Sequence, residues 1–282
     1  MSDKKFIVHV AYEKGHKQQL MAREDIVEMV STNENTWVFV DSQMVSVEEL
    51  ETIELNDATE IRINPGMDGG AETFTVLVAS KEGDEAILMT REAHAMGASG
   101  SLQVTPYYNK PTQEGLFQHF SAIADAAPMP VVLYNVPGRT VADLLPETVA
   151  RLATHPGIVG LKEATGSVAR IQDLKARMPD DFALLSGEDG MNVELMEAGC
   201  VGVISVTANV VPAALAAICE ASLAGDFAKA RELDAPLAAL HEALFLEPNP
   251  IPVKWALAAM GRMEGGIRLP LTPLSAEAQG PL

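Results

Sequence analysis

The sequence predicts an α/β protein, a (β/α)8 TIM barrel with C-terminal helices. Three observations carry this. From Phe74 onward, short apolar runs alternate with helical patterns through six units, the signature of parallel strands joined by right-handed crossovers. The strand runs are rich in Val, Ile, Leu and Ala and lack polar alternation, as strands covered on both faces do. The last third of the chain turns to Ala, Leu and Glu with apolar positions at helical spacing.

The strands are expected at Phe74–Ala79, Ser101–Val104, Val131–Tyr134, Ile158–Lys162, Phe182–Ser186 and Val201–Ser205. Between them, a helix over Asp84–Met96 follows Gly83 and stops near Gly97. Gln113–Ala126 follows the capping pair Pro111-Thr112, and Pro146–Ala153 opens on a first-turn proline. Ser167–Met178 and Gly190–Ala198 complete the alternation. Pro212–Leu223, Asp226–Phe245 and Ile251–Met260 read as the last barrel helix and an appended bundle, before coil over Arg268–Leu282.

The organisation that follows is an atypical N-terminal region over 1–70, barrel units over 71–223, and a C-terminal helical region over 224–282. The first seventy residues admit two arrangements. In one, Phe6–Tyr12 and Lys17–Ala22 are strands, Glu24–Val30 a short helix, and Trp37–Val40 and Glu60–Asn64 further strands, with Asp41-Ser42-Gln43 as a turn. This element order, trailing into Gly69-Gly70, resembles a separate ubiquitin-like β-grasp domain. In the other, Phe6–Val10 and Trp37–Val40 are barrel strands one and two, with Gln18–Val30 and Val47–Ile53 as their helices. Two units added to six make the eight that a closed barrel needs. Glu60–Asn64 is then surplus, and the polar alternation of these strands does not suit a parallel sheet.

Composition narrows the function. Apolar residues are 48% of the 282, enough for a sizeable core, and the net charge of −19 disfavours nucleic acid and anionic membranes as partners. Cys200 and Cys219 sit in apolar segments without metal-ligand spacing, as free thiols of a reducing compartment do. No long apolar segment follows Met1, so the expected location is the cytoplasm.

Lys162 is the residue that points to chemistry. It ends the apolar strand Ile158–Lys162, where desolvation lowers an amine's pKa and makes it a nucleophile able to form a Schiff base with a ketone. Tyr108, Tyr134 and Arg139 lie at or just past other strand ends, which converge on one face of a barrel. A phenol can shuttle the protons that imine chemistry needs, and a guanidinium can fork onto a substrate carboxylate. Taken singly, each has a structural explanation. Jointly, they make a site.

The segments VTPYYNKPTQEG, YNVPGRT, GLKEATG, LSGED, GVISVTANV and EPNPIPVKWAL closely resemble the dihydrodipicolinate synthase family over about residues 74–275. The resemblance implies a Schiff-base carbon–oxygen lyase that condenses pyruvate with L-aspartate 4-semialdehyde in lysine and diaminopimelate biosynthesis. By the same resemblance, Lys162 holds pyruvate and Tyr134 relays protons. Tyr108 reaches into a neighbouring subunit of a homotetramer, Arg139 guides the semialdehyde's carboxylate, and Gly187 and Ile204 line the pyruvate pocket. It implies no metal and no organic cofactor. The related N-acetylneuraminate lyases share the lysine and the first tyrosine but lack the GRT and EPNPIPVK runs.

The departures are specific. The family's Gly-Thr-Thr-Gly-Glu turn, which binds the pyruvate carboxylate and completes the proton relay, is absent. Asp41-Ser42-Gln43-Met44 stands nearest in the barrel arrangement, with Ser42 as the one hydroxyl. The family's Gly-Thr-Gly after the third strand is replaced by Ala79-Ser80-Lys81-Glu82, and its last helix is missing. These losses imply impaired turnover. The alternatives are a weak or inactive fusion of a ubiquitin-like domain with a barrel remnant, or another pyruvate aldolase of the N-acetylneuraminate lyase superfamily.

Overall fold

The computed structural model describes residues 5–12, 15–31, 36–40, 43–45, 50, 52–53, 55, 61–65 and 75–280. Its contacts divide the chain into Met1–Glu72 and Thr73–Leu282.

In the first unit, β1 (Lys5–Tyr12), β2 (Gly15–Ala22), β3 (Thr36–Val40), β4 (Gln43–Val45) and β5 (Ile61–Pro65) form a five-stranded sheet in the order β2-β1-β5-β3-β4. The central pair β1 and β5 is parallel, and the outer pairings are antiparallel. Helix α1 (Arg23–Ser31) follows β2. Val8, Met21, Ile26, Val30, Val40, Leu50 and Ile61 form its core.

The assignment of Phe6–Val10 and Trp37–Val40 to barrel strands one and two is therefore corrected. Both pair within this mixed sheet, as their polar alternation allows and a fully covered parallel sheet does not. Lys17–Ala22 is strand, not the start of a helix, and Gln43 begins β4 rather than ending a turn. Ser42 and Gly69-Gly70 lie outside the described residues.

The second unit carries a six-stranded parallel sheet in sequence order: β6 (Thr75–Val78), β7 (Gly100–Val104), β8 (Val131–Asn135), β9 (Ile158–Glu163), β10 (Ala183–Ser186) and β11 (Gly202–Val203). Helices α2 (Gly83–Ala95), α3 (Gln113–Ala126), α5 (Pro146–Leu152), α6 (Val168–Arg177) and α7 (Asn192–Ala198) alternate with the strands, and a short α4 (Pro137–Thr140) was not expected. Thr112 caps α3 by accepting from Gly115 N, and Ser167 caps α6 by accepting from Arg170 N.

One face of the sheet is buried through its central strands. Leu133 of β8, Leu161 of β9 and Leu184 of β10 pack with Leu116, Phe120, Ile123 and Ile171 of the helices. The opposite face is covered less than expected: Leu77 is 53% exposed, and Val132 and Leu185 are half-buried. That face would line a closed eight-stranded barrel, and six strands stand in this sheet.

Beyond β11 come α8 (Pro212–Leu223), α9 (Phe227–Asp234), α10 (Ala238–Ala243), α11 (Ile251–Ala259) and α12 (Ala276–Gln279). The single helix expected over Asp226–Phe245 is broken by a 3-10 turn at Ala235–Leu237, where Pro236 lacks the amide that a continuous helix needs. Among the described residues no helix is long and apolar enough to cross a membrane.

Candidate active site

The site grows from strand register. Tyr134 and Lys162 are partners across β8 and β9, and Lys162 faces Leu185 across β9 and β10. Side chains alternate along a strand, so Lys162 and Tyr134 project from the half-covered face while Asn135 and Glu163 project into the helix-covered one. The Lys162 Nζ lies 4.2 Å from the centre of the Tyr134 ring.

Burial dominates the electrostatics here. It lowers the Lys162 amine to about 8; Asp189 opposes this and Arg139 adds to it. Burial raises the Tyr134 phenol, with Arg139 pulling it down and Glu188 pushing it up. A partly desolvated amine beside a phenol can attack a carbonyl and exchange protons close by.

Gly187 fits the lysine by having no side chain. A Cβ there would stand 2.8 Å from Lys162 Cε and 2.9 Å from the Ala164 Cβ. Its amide donates to Glu163 O at 2.9 Å, which holds the β10 end against β9. Ile204, just beyond β11, donates its amide to Ser186 O at 2.8 Å and so closes the next strand end. Arg139 sits exposed on α4, a turn that ends at Val141 with a φ of 58°.

Tyr108 stands apart from this group. It is 83% exposed, its φ of 72° places a non-glycine residue in the left-handed region, and Lys81 Nζ lies 5.6 Å from its ring centre. The structure thus brings Tyr134 and Gly187 against Lys162, with the charge of Arg139 acting on the amine and the phenol and Ile204 bonded at the next strand end, and leaves Tyr108 at the surface. Ser80, in the segment that replaces the family's Gly-Thr-Gly, is buried and accepts from Glu82 N at 3.0 Å while bonding to Glu85.

Two polar networks support the site, and sequence reading assigned neither. Behind the sheet, Asn135 Nδ2 donates to Glu163 Oε2 at 3.1 Å and to Asp143 Oδ1 at 2.9 Å, and Arg170 pairs with Asp143. Beside Gly187, Asp189 accepts from Val206 N and Thr207 N at 2.8 and 2.9 Å, and Thr207 Oγ1 lies 2.8 Å from His241 Nδ1. The available signal was Asp189 within LSGED; its partners lie on distant segments. Among the described residues no group of three or more His, Cys, Asp or Glu is placed to hold a metal.

A parallel α/β sheet bearing a partly desolvated lysine against a tyrosine at adjacent strand ends fits one class, the α/β lyases. Within it, the chain belongs to the dihydrodipicolinate synthetase family, whose sequence model matches residues 73–282. It is a lyase of that family by sequence and by fold. It is 59% identical over 196 residues to a 4-hydroxy-tetrahydrodipicolinate synthase of Alcanivorax borkumensis, a match that spans 70% of this chain and 67% of that relative. The chloride-inhibited dihydrodipicolinate synthase of Acinetobacter baumannii, solved in complex with pyruvate, superposes with a TM-score of 0.73 at 49% identity. That match covers 74% of this chain and 72% of the other. The 4-hydroxy-tetrahydrodipicolinate synthase of Methylacidiphilum fumariolicum SolV gives a TM-score of 0.74 at 33% identity, covering 98% of this chain and 93% of the other.

Proposed function

We propose that this chain condenses pyruvate with L-aspartate 4-semialdehyde through an imine on Lys162. The neutral amine attacks the ketone carbon of pyruvate, and water leaves as the C=N bond forms. Loss of a methyl proton gives an enamine, whose carbon attacks the aldehyde; the aldehyde oxygen takes up a proton, and the semialdehyde's own amino group then displaces the Lys162 amine from the imine carbon, which frees the lysine. Tyr134 relays the protons, and Arg139 holds the semialdehyde's carboxylate. Gly187 leaves room for the lysine stem, and Ile204 borders the pyruvate. The observation that carries this reading is the Lys162 amine, held to about 8, lying 4.2 Å from the Tyr134 ring centre.

Tyr108 is assigned to a neighbouring subunit's site in a homotetramer. Support comes from its exposure and from its left-handed backbone, a strain worth about 1–3 kcal/mol that usually marks a functional turn. The cytoplasm is the proposed location. The GRT and EPNPIPVK runs favour this activity over that of the N-acetylneuraminate lyases.

Without the family's threonine turn, imine formation survives and turnover is slow, since general acid–base assistance is worth about 10²–10⁴-fold. The test is borohydride reduction in the presence of pyruvate, followed by peptide mass mapping. A reduced pyruvate adduct on Lys162 is expected. Folded protein that yields no adduct would sink the reading. Turnover is then read from pyruvate consumption with the semialdehyde.

For the N-terminal unit we propose a β-grasp fold over residues 1–70, fused to a barrel of this family. The sheet order β2-β1-β5-β3-β4, with its parallel central pair and α1 after the first hairpin, supports it. A conjugating role would require cleavage after Gly70, which intact-mass measurement would detect as a fragment.

A further inference from the structure

Arg139 stands exposed on α4, and among the described residues no side chain bonds to its guanidinium. Its place is therefore set by the backbone beneath it. That backbone is strained. Val141, two residues on, has a φ of 58°, a region that β-branched residues avoid. It is 64% exposed, so packing does not hold it there. Such a conformation persists only where the surrounding structure over-determines it.

The ties lie on either side of Val141. Thr140 is buried, and its Oγ1 accepts from Thr105 Oγ1 at 3.1 Å, just past β7, and from Ala142 N at 3.3 Å. Leu144 N donates to Asn135 Oδ1 at 2.9 Å, and Leu145 N donates to Gln113 Oε1 at 3.2 Å. Gln113 opens α3, and its Nε2 donates back to Asp143 O at 2.7 Å. Asp143 Oδ1 accepts from Asn135 Nδ2 at 2.9 Å and from Arg170 Nη2 of α6 at 2.6 Å. Loop amides ordinarily face water; three in this short segment are held by side chains instead. Asn135 and Glu163 directly follow Tyr134 and Lys162, are register partners themselves, and bond to each other at 3.1 Å. So the two strands that carry the phenol and the amine on one face hold the segment after Arg139 by the other.

We propose that Asp143 is a positioning residue for Arg139. Held between Asn135 and Arg170, it pins the segment after the arginine's turn to the back of β8 and β9, and so fixes where the guanidinium stands relative to the Lys162 amine. The ligand selected in this way is an aldehyde whose carboxylate lies at a set reach from its reacting carbon. That selection rests on the reading of Arg139 given above; the pinning of the segment does not.

The test uses the full chain, Arg170→Leu, and two readouts that need no turnover. Arg170→Leu cuts one tie to Asp143 and leaves the Asn135 bond to it in place. Hydrogen exchange read by mass spectrometry over residues 139–146 measures the pinning, and in the variant it is expected to run roughly tenfold faster than in the parent. Labelling of Arg139 with phenylglyoxal, with L-aspartate 4-semialdehyde titrated in, measures carboxylate binding at the guanidinium. The concentration that gives half-protection is expected to rise about tenfold in the variant, while borohydride trapping of pyruvate on Lys162 is unchanged. Should Arg170→Leu not fold, Gln113→Ala, which removes the bonds to Asp143 O and Leu145 N, is read in the same way. A folded variant with unmoved half-protection, whatever its exchange rate or stability, overturns the proposal and leaves Asp143 a structural tie. A parent in which the semialdehyde gives Arg139 no protection defeats the carboxylate reading of Arg139; faster exchange in the variant then leaves the pinning of its turn by Asp143 standing.

Discussion

Lys162 lies with its Nζ 4.2 Å from the ring centre of Tyr134 because the two are register partners on neighbouring parallel strands. The ring shields the amine from water, and the phenol oxygen is the group that can carry a proton. Tyr134→Phe separates the two roles. The ring stays, so a pyruvate adduct should still be trapped on Lys162. The relay is lost, so kcat should fall about 10²–10⁴-fold. Trapping and steady-state rates on one preparation decide it. An unchanged kcat would remove Tyr134 from the mechanism.

The buried amine also costs stability, in a definite pH window. Its pKa is lowered from 10.5 in the unfolded chain to about 8, so between those values the unfolded state binds more protons and stability rises with pH. Below pH 8 the full cost is present, on the order of 3 kcal/mol and less where solvent still reaches the amine. Lys162→Met should therefore unfold at higher urea than the parent at pH 7, with the gap narrowing toward pH 10. A gap that widens with pH would contradict the assignment. The same variant yields no pyruvate adduct.

Gly187 makes the tightest steric demand around the lysine. A methyl group there would meet Lys162 Cε at 2.8 Å and Ala164 Cβ at 2.9 Å. The lysine stem can swing away more easily than the strand can move. Gly187→Ala should thus displace the amine, lowering the yield of pyruvate adduct at least tenfold and costing about 1–3 kcal/mol from overpacking. Adduct yield against urea midpoint checks it. Full trapping by the variant would show that the position is permissive.

What the sequence revealed follows from the range of each signal. The βα alternation is local, so six strands and their helices could be placed within a few residues. Lys162, Tyr134 and Arg139 could be grouped because parallel strands bring their ends to one side, wherever they fall in the chain. The Asp189–Thr207–His241 connection has no such rule behind it, because it joins three segments through side-chain geometry alone. Pro236 was a readable break and marks where one expected helix becomes two. The strand count of the barrel was not readable, because arithmetic allowed eight. The polar alternation in β1 and β3 was the better guide to their separate sheet.

Glu163 tests the face opposite the lysine. It is 1% exposed, accepts from Asn135 Nδ2 at 3.1 Å and from Thr165 N at 3.0 Å, and points away from Lys162 by strand alternation. Burial raises its pKa above the usual carboxylate value; the bonds from Asn135 and the charge of Arg170 only partly offset this. A raised carboxyl pKa means the folded state binds more protons just above the unfolded value. The parent accordingly loses stability as pH rises through that window, and the cost remains in full above it. Glu163→Gln has no proton to lose there, though its amide meets the Asn135 donor poorly. The difference in thermal midpoint, variant minus parent, should therefore move in the variant's favour between pH 4.5 and pH 8. Trapping of pyruvate on Lys162 should persist, because the two side chains lie on opposite faces of β9. A difference that stays flat with pH would mean that Glu163 is ionised in the folded protein as readily as in the unfolded chain, and that its hydrogen bonds fully offset its burial.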